Sequence, residues 1–385
     1  MNFEYSEEQT MIKDSVERFV REEYGFDVRR QIIASDDGYS REYWAKFAEL
    51  GWLSIPFAEQ YGGYGGSVDD VAAIMEALGK GNVVEPIVPT VLMFGGLLAH
   101  SGNEALMSAY IPRIIAGECL GAFAYLERQS RFEMTDIATT ARPERDKLII
   151  NGEKTVVLNG TNADSLVVAV RTGGEQFDRR GISLIVVDTD TPGVEVTGYA
   201  MMDGQRAANI KFVDVAVAKD CLLGALDEGM DVVDKMVPEA LLALCAQAQG
   251  IMETLNETTV NYTKTRTQFG VPISSFQVLQ HRMVDNFMAA EQARSMLYRG
   301  LCAFGSGSVE TEYERSRSLH ALKAVAAKSS KLIGEEAIQI HGGMGMTDEL
   351  DVGHFVKRLM TINTMFGDGD YHQKAFNRLS YQSAS

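Results

Sequence analysis

Arg266-Thr-Gln-Phe-Gly-Val-Pro-Ile-Ser-Ser-Phe-Gln277 separates two long stretches of helical periodicity, and its reading decides the fold. Arg266 offers a planar fork of donors suited to a pyrophosphate. Phe269 offers an apolar face to an adenine or ribose, and Gln277 supplies a neutral donor and acceptor. In isolation, an arginine and a phenylalanine near Pro272 read as a helix break with one surface charge and one core ring. A second string shifts that balance: Gln339-Ile-His-Gly-Gly-Met-Gly345. Glycines let backbone N–H groups approach a phosphate without an obstructing Cβ. Alone, the Gly342-Gly343-Met-Gly345 run is no more than a turn that caps a helix.

Working outward, residues 6 to about 120 read as helical. Ser6 is a candidate cap with Glu7 and Glu8 behind it, and Ile12, Val16, Phe19 and Val20 recur at helical spacing. Tyr61-Gly-Gly-Tyr-Gly-Gly66 breaks the chain, and Ser67 caps a restart. The period then changes. Lys147 to Leu158 reads as two strands joined at Asn151-Gly152, a hairpin signal. Leu166–Val170, Ile182–Val187, Val194–Thr197 and Ile210–Val213 are short β-rich runs, which predict an antiparallel sandwich or barrel of roughly 100 residues. Helical periodicity returns near Met230. One helix begins around Leu241, another runs from Ser275 through Cys302, a third resumes near Glu310, and a last one includes Ile333 to Ile340. Gly305 to Val309 reads as a loop.

Composition excludes some classes. The 385 residues suffice for two or three domains, with 45% hydrophobic and 23% charged residues. A net charge of −17 argues against nucleic acid or an anionic membrane as the main partner. Cys119, Cys221, Cys245 and Cys302 lie too far apart for zinc or redox motifs, so free thiols in a reducing cytoplasm are expected. His341, His354 and His372 match no metal spacing and are expected at the surface or an interface. Val83 to His100 is interrupted by Glu85, Pro86 and Pro89, and no membrane span is expected.

The two strings resemble the Arg-x-x-Phe-Gly-x-x-Ile-x-x-Phe-Gln and Gly-Gly-x-Gly motifs of acyl-CoA dehydrogenases. Gly51-Trp-Leu-Ser-Ile-Pro56 with Tyr61-Gly-Gly63 is similar to that family's N-terminal domain, and Gly152 to Gly160 occupies the place of its Gly-x-Lys-x-Trp-Ile-Thr-Asn motif. The resemblance covers essentially the whole chain. It implies an N-terminal all-α domain (1–120), a middle antiparallel β domain (121–228) and a C-terminal four-helix bundle (229–385) that builds the oligomer. It also implies FAD, an acyl-CoA substrate, an electron-transferring flavoprotein as acceptor, and desaturation to a 2-enoyl-CoA. By the same resemblance Arg266, Phe269, Gln277, Gln339, Gly342 and Gly343 hold the adenosine diphosphate half of the flavin.

Three departures stand at chemical positions. The family's tryptophan beside the flavin ring is Val156, and its ring-bonding hydroxyl residue is Leu158. The Thr-Glu-Pro-x-x-Gly-Ser-Asp loop aligns near Leu126 to Asp136, keeping Glu127 and losing the threonine to Leu126. The catalytic glutamate position is Gly367, and glycine cannot abstract a proton. Each flavin in the family lies across a subunit boundary, and this chain keeps the residues it gives to a neighbour. The expectation is therefore one subunit of a heteromeric (α2β2) enzyme, similar to bacterial enzymes acting on steroid side chains or dicarboxylic acyl-CoAs. A self-sufficient homotetramer with a relocated base and a non-catalytic scaffold are the alternatives. Glu239, beside Ala240 at the base position of some members, is the candidate relocated base, against a plain reading as an early-turn helix acid. Asp368 and Asp370 read as turn residues.

Overall fold

The computed structural model describes residues 6–305 and 308–382. The chain divides into two compact units, one of Met1–Arg29, Ser67–Val83 and Leu241–Ser385, the other of Arg30–Gly66 and Val84–Ala240.

The first unit is helical. Helix α1 (Glu7–Glu23) opens on a capping box: Gln9 N–H donates to Ser6 Oγ while Ser6 N–H donates to Gln9 Oε1. Helix α2 (Phe26–Ala34) follows and runs past Arg29 into the other unit, which holds α3 (Arg41–Glu49). Ser67 caps α4 (Val68–Lys80) as expected, with Asp70 closing the box. The other unit adds a π-helical segment at Ile87–Gly95, then α5 (Gly96–His100) and α6 (Glu104–Ile115). No helix among the described residues is long and apolar enough to cross a membrane.

The second unit is built on an eight-stranded sheet: β1 (Gly121–Ala124), β2 (Thr140–Glu144), β3 (Lys147–Leu158), β4 (Ser165–Arg171), β5 (Ile182–Asp188), β6 (Val194–Ala200), β7 (Arg206–Ala218) and β8 (Leu222–Leu223). The order is β6-β7-β3-β2-β4-β5-β8, with β1 pairing β4. Most neighbours are antiparallel, but β1 and β2 meet β4 in parallel. Leu148, Ile150, Val168, Ile185, Ile210 and Phe212 are among its buried core residues. Asn151-Gly152 does not make a hairpin. Residues Lys147–Leu158 form one strand, and the hairpin lies earlier, where Glu144 pairs Lys147 across Arg145-Asp146. Asn151-Gly152 is instead a register shift against β7. Gly152 presses on Thr139, where a Cβ would come within 2.6 Å of its hydroxyl, and Asn151 Oδ1 accepts from Asp214 N–H. The Asn-Gly pair serves a bulge as readily as a turn, because both need a strained backbone and a side-chain bond.

Helix α7 (Gly229–Thr265) starts beside Met230, where helical periodicity returns, and twelve residues before Leu241, where the helix itself was expected. From Leu241 onward it belongs to the helical unit, where it crosses α4 at backbone contact. A Cβ on Gly250 would lie 2.0 Å from Glu76 O, and one on Gly79 2.3 Å from Gln247 O. Short strands β9 (Thr267–Gln268) and β10 (Val271–Pro272) precede α8 (Gln277–Phe304). Helix α9 (Glu312–His341) is continuous, so the segments expected near Glu310 and at Ile333–Ile340 are one helix. No proline interrupts that run, and Thr311 with Glu314 caps its start. Helices α10 (Val352–Thr364) and α11 (Gly369–Gln382) lie beyond the last helix read from periodicity. The loop expected at Gly305 to Val309 falls partly outside the described residues.

Candidate flavin and substrate site

In the helical unit, α7 ends one residue before Arg266. Strands β9 and β10 pair antiparallel across Phe269-Gly270, whose φ angles are +54° and +80°. Positive φ at both central residues is the geometry of a tight hairpin turn. A phenylalanine pays a steric cost there that glycine does not. The residue is also 92% exposed, its ring meeting Phe276 edge-on at 6.1 Å between centroids. Leaving such a side chain in water forgoes about 1.5–3 kcal/mol. Arg266 is exposed, and its guanidinium has no ion-pair partner among the described residues. Gln277 is exposed at the first position of α8, and Gln339 is exposed in the last turn of α9.

Immediately after α9, Gly342 adopts φ +60°, and a Cβ on Gly342 or Gly343 would meet nothing within 4 Å. The φ of Gly342 favours glycine by itself, whereas neither packing nor a positive φ requires one at Gly343, which leaves the backbone there open to an approaching phosphate. The two motifs meet through His341 and a residue that sequence reading passed over, Tyr262. Tyr262 stacks on His341 at 4.3 Å between ring centroids. His341 is 2% exposed, and His354 and His372 are also buried, so the surface expectation for these histidines is corrected. Each imidazole has a hydrogen-bond partner: His341 and His372 bind locally to Ala337 O and Phe366 O, and His354 accepts from the distant Arg29 guanidinium. No cluster of metal-ligating groups occurs among the described residues.

In the sheet unit, Glu127 anchors the loop that precedes β2. Its carboxylate accepts from Lys154 Nζ at 2.7 Å, Gln129 Nε2 at 2.8 Å, Ala138 N–H at 2.9 Å and Thr139 N–H at 3.0 Å. Burial pushes the carboxyl up, but Lys154 and these donors outweigh it and hold it down at about 2. Burial pulls Lys154 down to about 8 against the pull of Glu127. Asp136 is buried and accepts from Gln176. The frame is thus intact, but the side chains on it are aliphatic. Val156 stands on the register shift after Lys154, with φ +50° and 42% exposure. A β-branched residue rarely takes that conformation. Leu126 and Leu158 are half-buried, and neither can donate to a flavin ring.

Gly367 lies on the connection between α10 and α11 with φ +112°. A Cβ there would stand 2.4 Å from Tyr371 Cδ1 and 2.9 Å from His372 Nε2. His372 Nε2 donates to Phe366 O at 3.0 Å, leaving Nδ1 to accept from His320 Nδ1 at 2.9 Å. Burial, then His320 and Lys323, hold this imidazole down at about 3, so it is neutral at neutral pH. Asp368 Oδ1 accepts from Tyr371 N–H and serves the start of α11, while Asp370 is exposed in its first turn. Glu239 is in the third turn of α7, not the first, so the helix-dipole reading loses its basis. Its Oε2 instead lies 2.9 Å from His100 Nε2. Ala240 is fully buried.

Comparison with known proteins matches this layout. Family models match in order: acyl-CoA dehydrogenase N-terminal domain at 6–118, middle domain at 122–215 and C-terminal domain at 227–378. The Bacillus subtilis protein named probable acyl-CoA dehydrogenase YngJ is 30% identical over 94% of this chain and 95% of its own length. The chain belongs to the acyl-CoA dehydrogenase family. Among solved structures, an FAD complex of PigA superposes with a TM-score of 0.90 at 25% identity, covering 98% of each chain. The ChsE4-ChsE5 complex from Mycobacterium tuberculosis gives 0.88 at 22% identity, again over 98% of each chain, a likeness of fold alone. This acyl-CoA dehydrogenase chain is accordingly an FAD-dependent oxidoreductase by family. The open glycine turn and the uncovered Phe269 and Arg266 fit the nucleotide half of that cofactor. The aliphatic set Leu126, Val156 and Leu158 does not offer the ring the donors and aromatic contact its relatives' motif supplies.

Proposed function

We propose that this chain is one subunit of a heteromeric acyl-CoA dehydrogenase and completes the flavin site of a homologous partner. The observation that carries the reading is Gly367. Its position is closed by Tyr371 and His372, so it neither bears a base nor leaves room for one. Against that closed position stands an uncovered set of nucleotide-binding groups.

When bound, FAD supplies the hydride acceptor for α,β-desaturation of an acyl-CoA. This chain's own residues bind and orient. Arg266 pairs with the pyrophosphate through its guanidinium, Gly342 and Gly343 admit backbone N–H groups to it, and Phe269 covers an apolar face of the nucleotide. Gln277 and Gln339 add neutral hydrogen bonds. The proton at the substrate α-carbon goes to a base on the partner. The ChsE4-ChsE5 assembly shows that this fold occurs in two-chain complexes, which supports the arrangement. Electron-transferring flavoprotein is the proposed electron acceptor, and the cytoplasm the proposed compartment.

The pairing of Glu239 with His100 keeps a second reading in view, a homotetramer whose base is that His-linked carboxylate. One preparation separates the two. The chain purified alone is expected to hold little FAD and to show no acyl-CoA oxidation. In the assembled enzyme Arg266→Ala should weaken FAD retention and Glu239→Gln should leave turnover unchanged. Stoichiometric flavin with brisk turnover in the chain alone, abolished by Glu239→Gln, would establish the homotetramer instead. No effect of Arg266→Ala would leave only a scaffold role.

A further inference from the structure

We infer that Tyr262 and His341 form a clamp that sets the spacing between the Arg266 hairpin and the Gly342-Gly343 turn, making both positioning residues for FAD. The inference rests on the reading of those motifs as a nucleotide site.

Tyr262 stands one helical turn before Arg266, and its carbonyl accepts the Arg266 N–H at 2.8 Å. Its hydroxyl donates to His341 O at 3.3 Å, and that carbonyl belongs to the peptide leading into Gly342. The two rings stack at 4.3 Å with 29° between their planes. His341 is fixed in its turn: Nδ1 lies 2.8 Å from Ala337 O, one turn back along α9. A single pair of side chains, 79 residues apart in sequence, therefore ties the end of α7 to the end of α9. Arg266 and Gly342 each lie within one turn of a member of that pair.

Packing alone does not account for the histidine. Donation from Nδ1 leaves Nε2 as an acceptor, and this nitrogen is buried without a hydrogen-bond partner among the described residues. An unsatisfied buried polar atom costs about 1–3 kcal/mol. A leucine would fill the same volume without that cost. The imidazole contributes what leucine lacks: a flat face for Tyr262 and an N–H that fixes the ring's rotation against Ala337. Burial lowers the pKa of His341, so at neutral pH the ring stacks in its uncharged form. The cradle residues themselves are exposed and carry no such restraint. A nucleotide bridging them gains from having the two motifs held at the right separation before it arrives.

The test is FAD affinity in the assembled holoenzyme, titrated after flavin removal, with melting of the flavin-free complex as the control for folding. Tyr262→Ala and His341→Leu should each weaken FAD binding roughly tenfold, and Tyr262→Phe less because it keeps the stack. The Tyr262→Ala/Arg266→Ala double variant should lose less than the product of the single losses, since Arg266 misplaced by the first change has less to give up. Should Tyr262→Ala fail to assemble, Tyr262→Phe and His341→Leu carry the comparison. Single variants that lower the melting temperature yet leave FAD affinity intact would overturn the clamp, as would losses that multiply independently. If Arg266→Ala weakens FAD while the Tyr262 and His341 variants do not, the clamp falls and the nucleotide site stands. If Arg266→Ala is itself silent, the nucleotide site falls and the clamp with it.

Discussion

At the scale of single residues, the strings that carry the family resemblance were legible and the side chains behind them were not. Arg266, Phe269, Gly342 and Gly343 announce themselves because a motif is written locally, in adjacent residue types. Glu127 and Lys154 form a pair 27 residues apart whose burial no periodicity reveals, since a lysine in a strand ordinarily faces water. Their pairing makes a titration prediction. Glu127 is held at about 2, below its ordinary 4.5, so the unfolded chain takes up its proton first as the pH falls. The stabilisation is complete above pH 4.5 and is lost as the pH falls through about 2. Glu127→Gln should therefore melt well below the parent protein at pH 6, and the gap should narrow steadily below pH 4.5. Thermal melts across that range check it; a gap independent of pH would mean the carboxylate's charge contributes nothing.

At the scale of elements, helix starts were readable because capping is local: Ser6 and Ser67 each close a box three residues ahead. Strand partners were less readable. Asn151-Gly152 has the composition of a hairpin, but the partner strand β7 lies about sixty residues onward and turns the pair into a bulge. Helix ends fared worst in the C-terminal segment, where a 30-residue α9 reads as two pieces. The connection between α10 and α11 carries a sharper consequence. Gly367 is missing a carboxylate, but the structure adds that the turn closes over the vacancy. Gly367→Ala combines a φ of +112° with a 2.4 Å contact to the Tyr371 ring and should destabilise by roughly 2–4 kcal/mol. Tyr371→Ala in the same chain should recover part of that loss, and Gly367→Glu should confer no oxidation on the chain alone. Denaturant melts of the parent, Gly367→Ala and the double variant decide the stability, and an acyl-CoA oxidation assay decides Gly367→Glu. A Gly367→Ala chain as stable as the parent would show that the turn yields, and that a base could have been accommodated there.

At the scale of the molecule, the family and its helix–sheet–helix order were recoverable from the motifs, but the division of labour depends on setting two halves of a chain against each other. The half that carries the proposed nucleotide-binding groups leaves them exposed, and α8 adds Val284, Phe287 and Met288 exposed along one side. The half proposed to face the ring carries Leu126, Val156 and Leu158. If each flavin needs a ring face from one subunit and a nucleotide cradle from another, a tetramer of two such chains and two partners can complete only those sites whose ring face comes from the partner. The assembled enzyme should then contain about one flavin for every two chains, half the loading of a homotetramer in which every subunit offers both faces. Flavin absorbance against protein mass on the purified complex measures this directly. Restoring the ring face here, by Val156→Trp with Leu158→Thr, should leave that ratio unchanged unless the partner also supplies a competent cradle. A parent complex already loaded with one flavin per chain would mean that the aliphatic face binds a ring after all, and the asymmetry inferred from Val156, Leu158 and Gly367 would then concern the base alone.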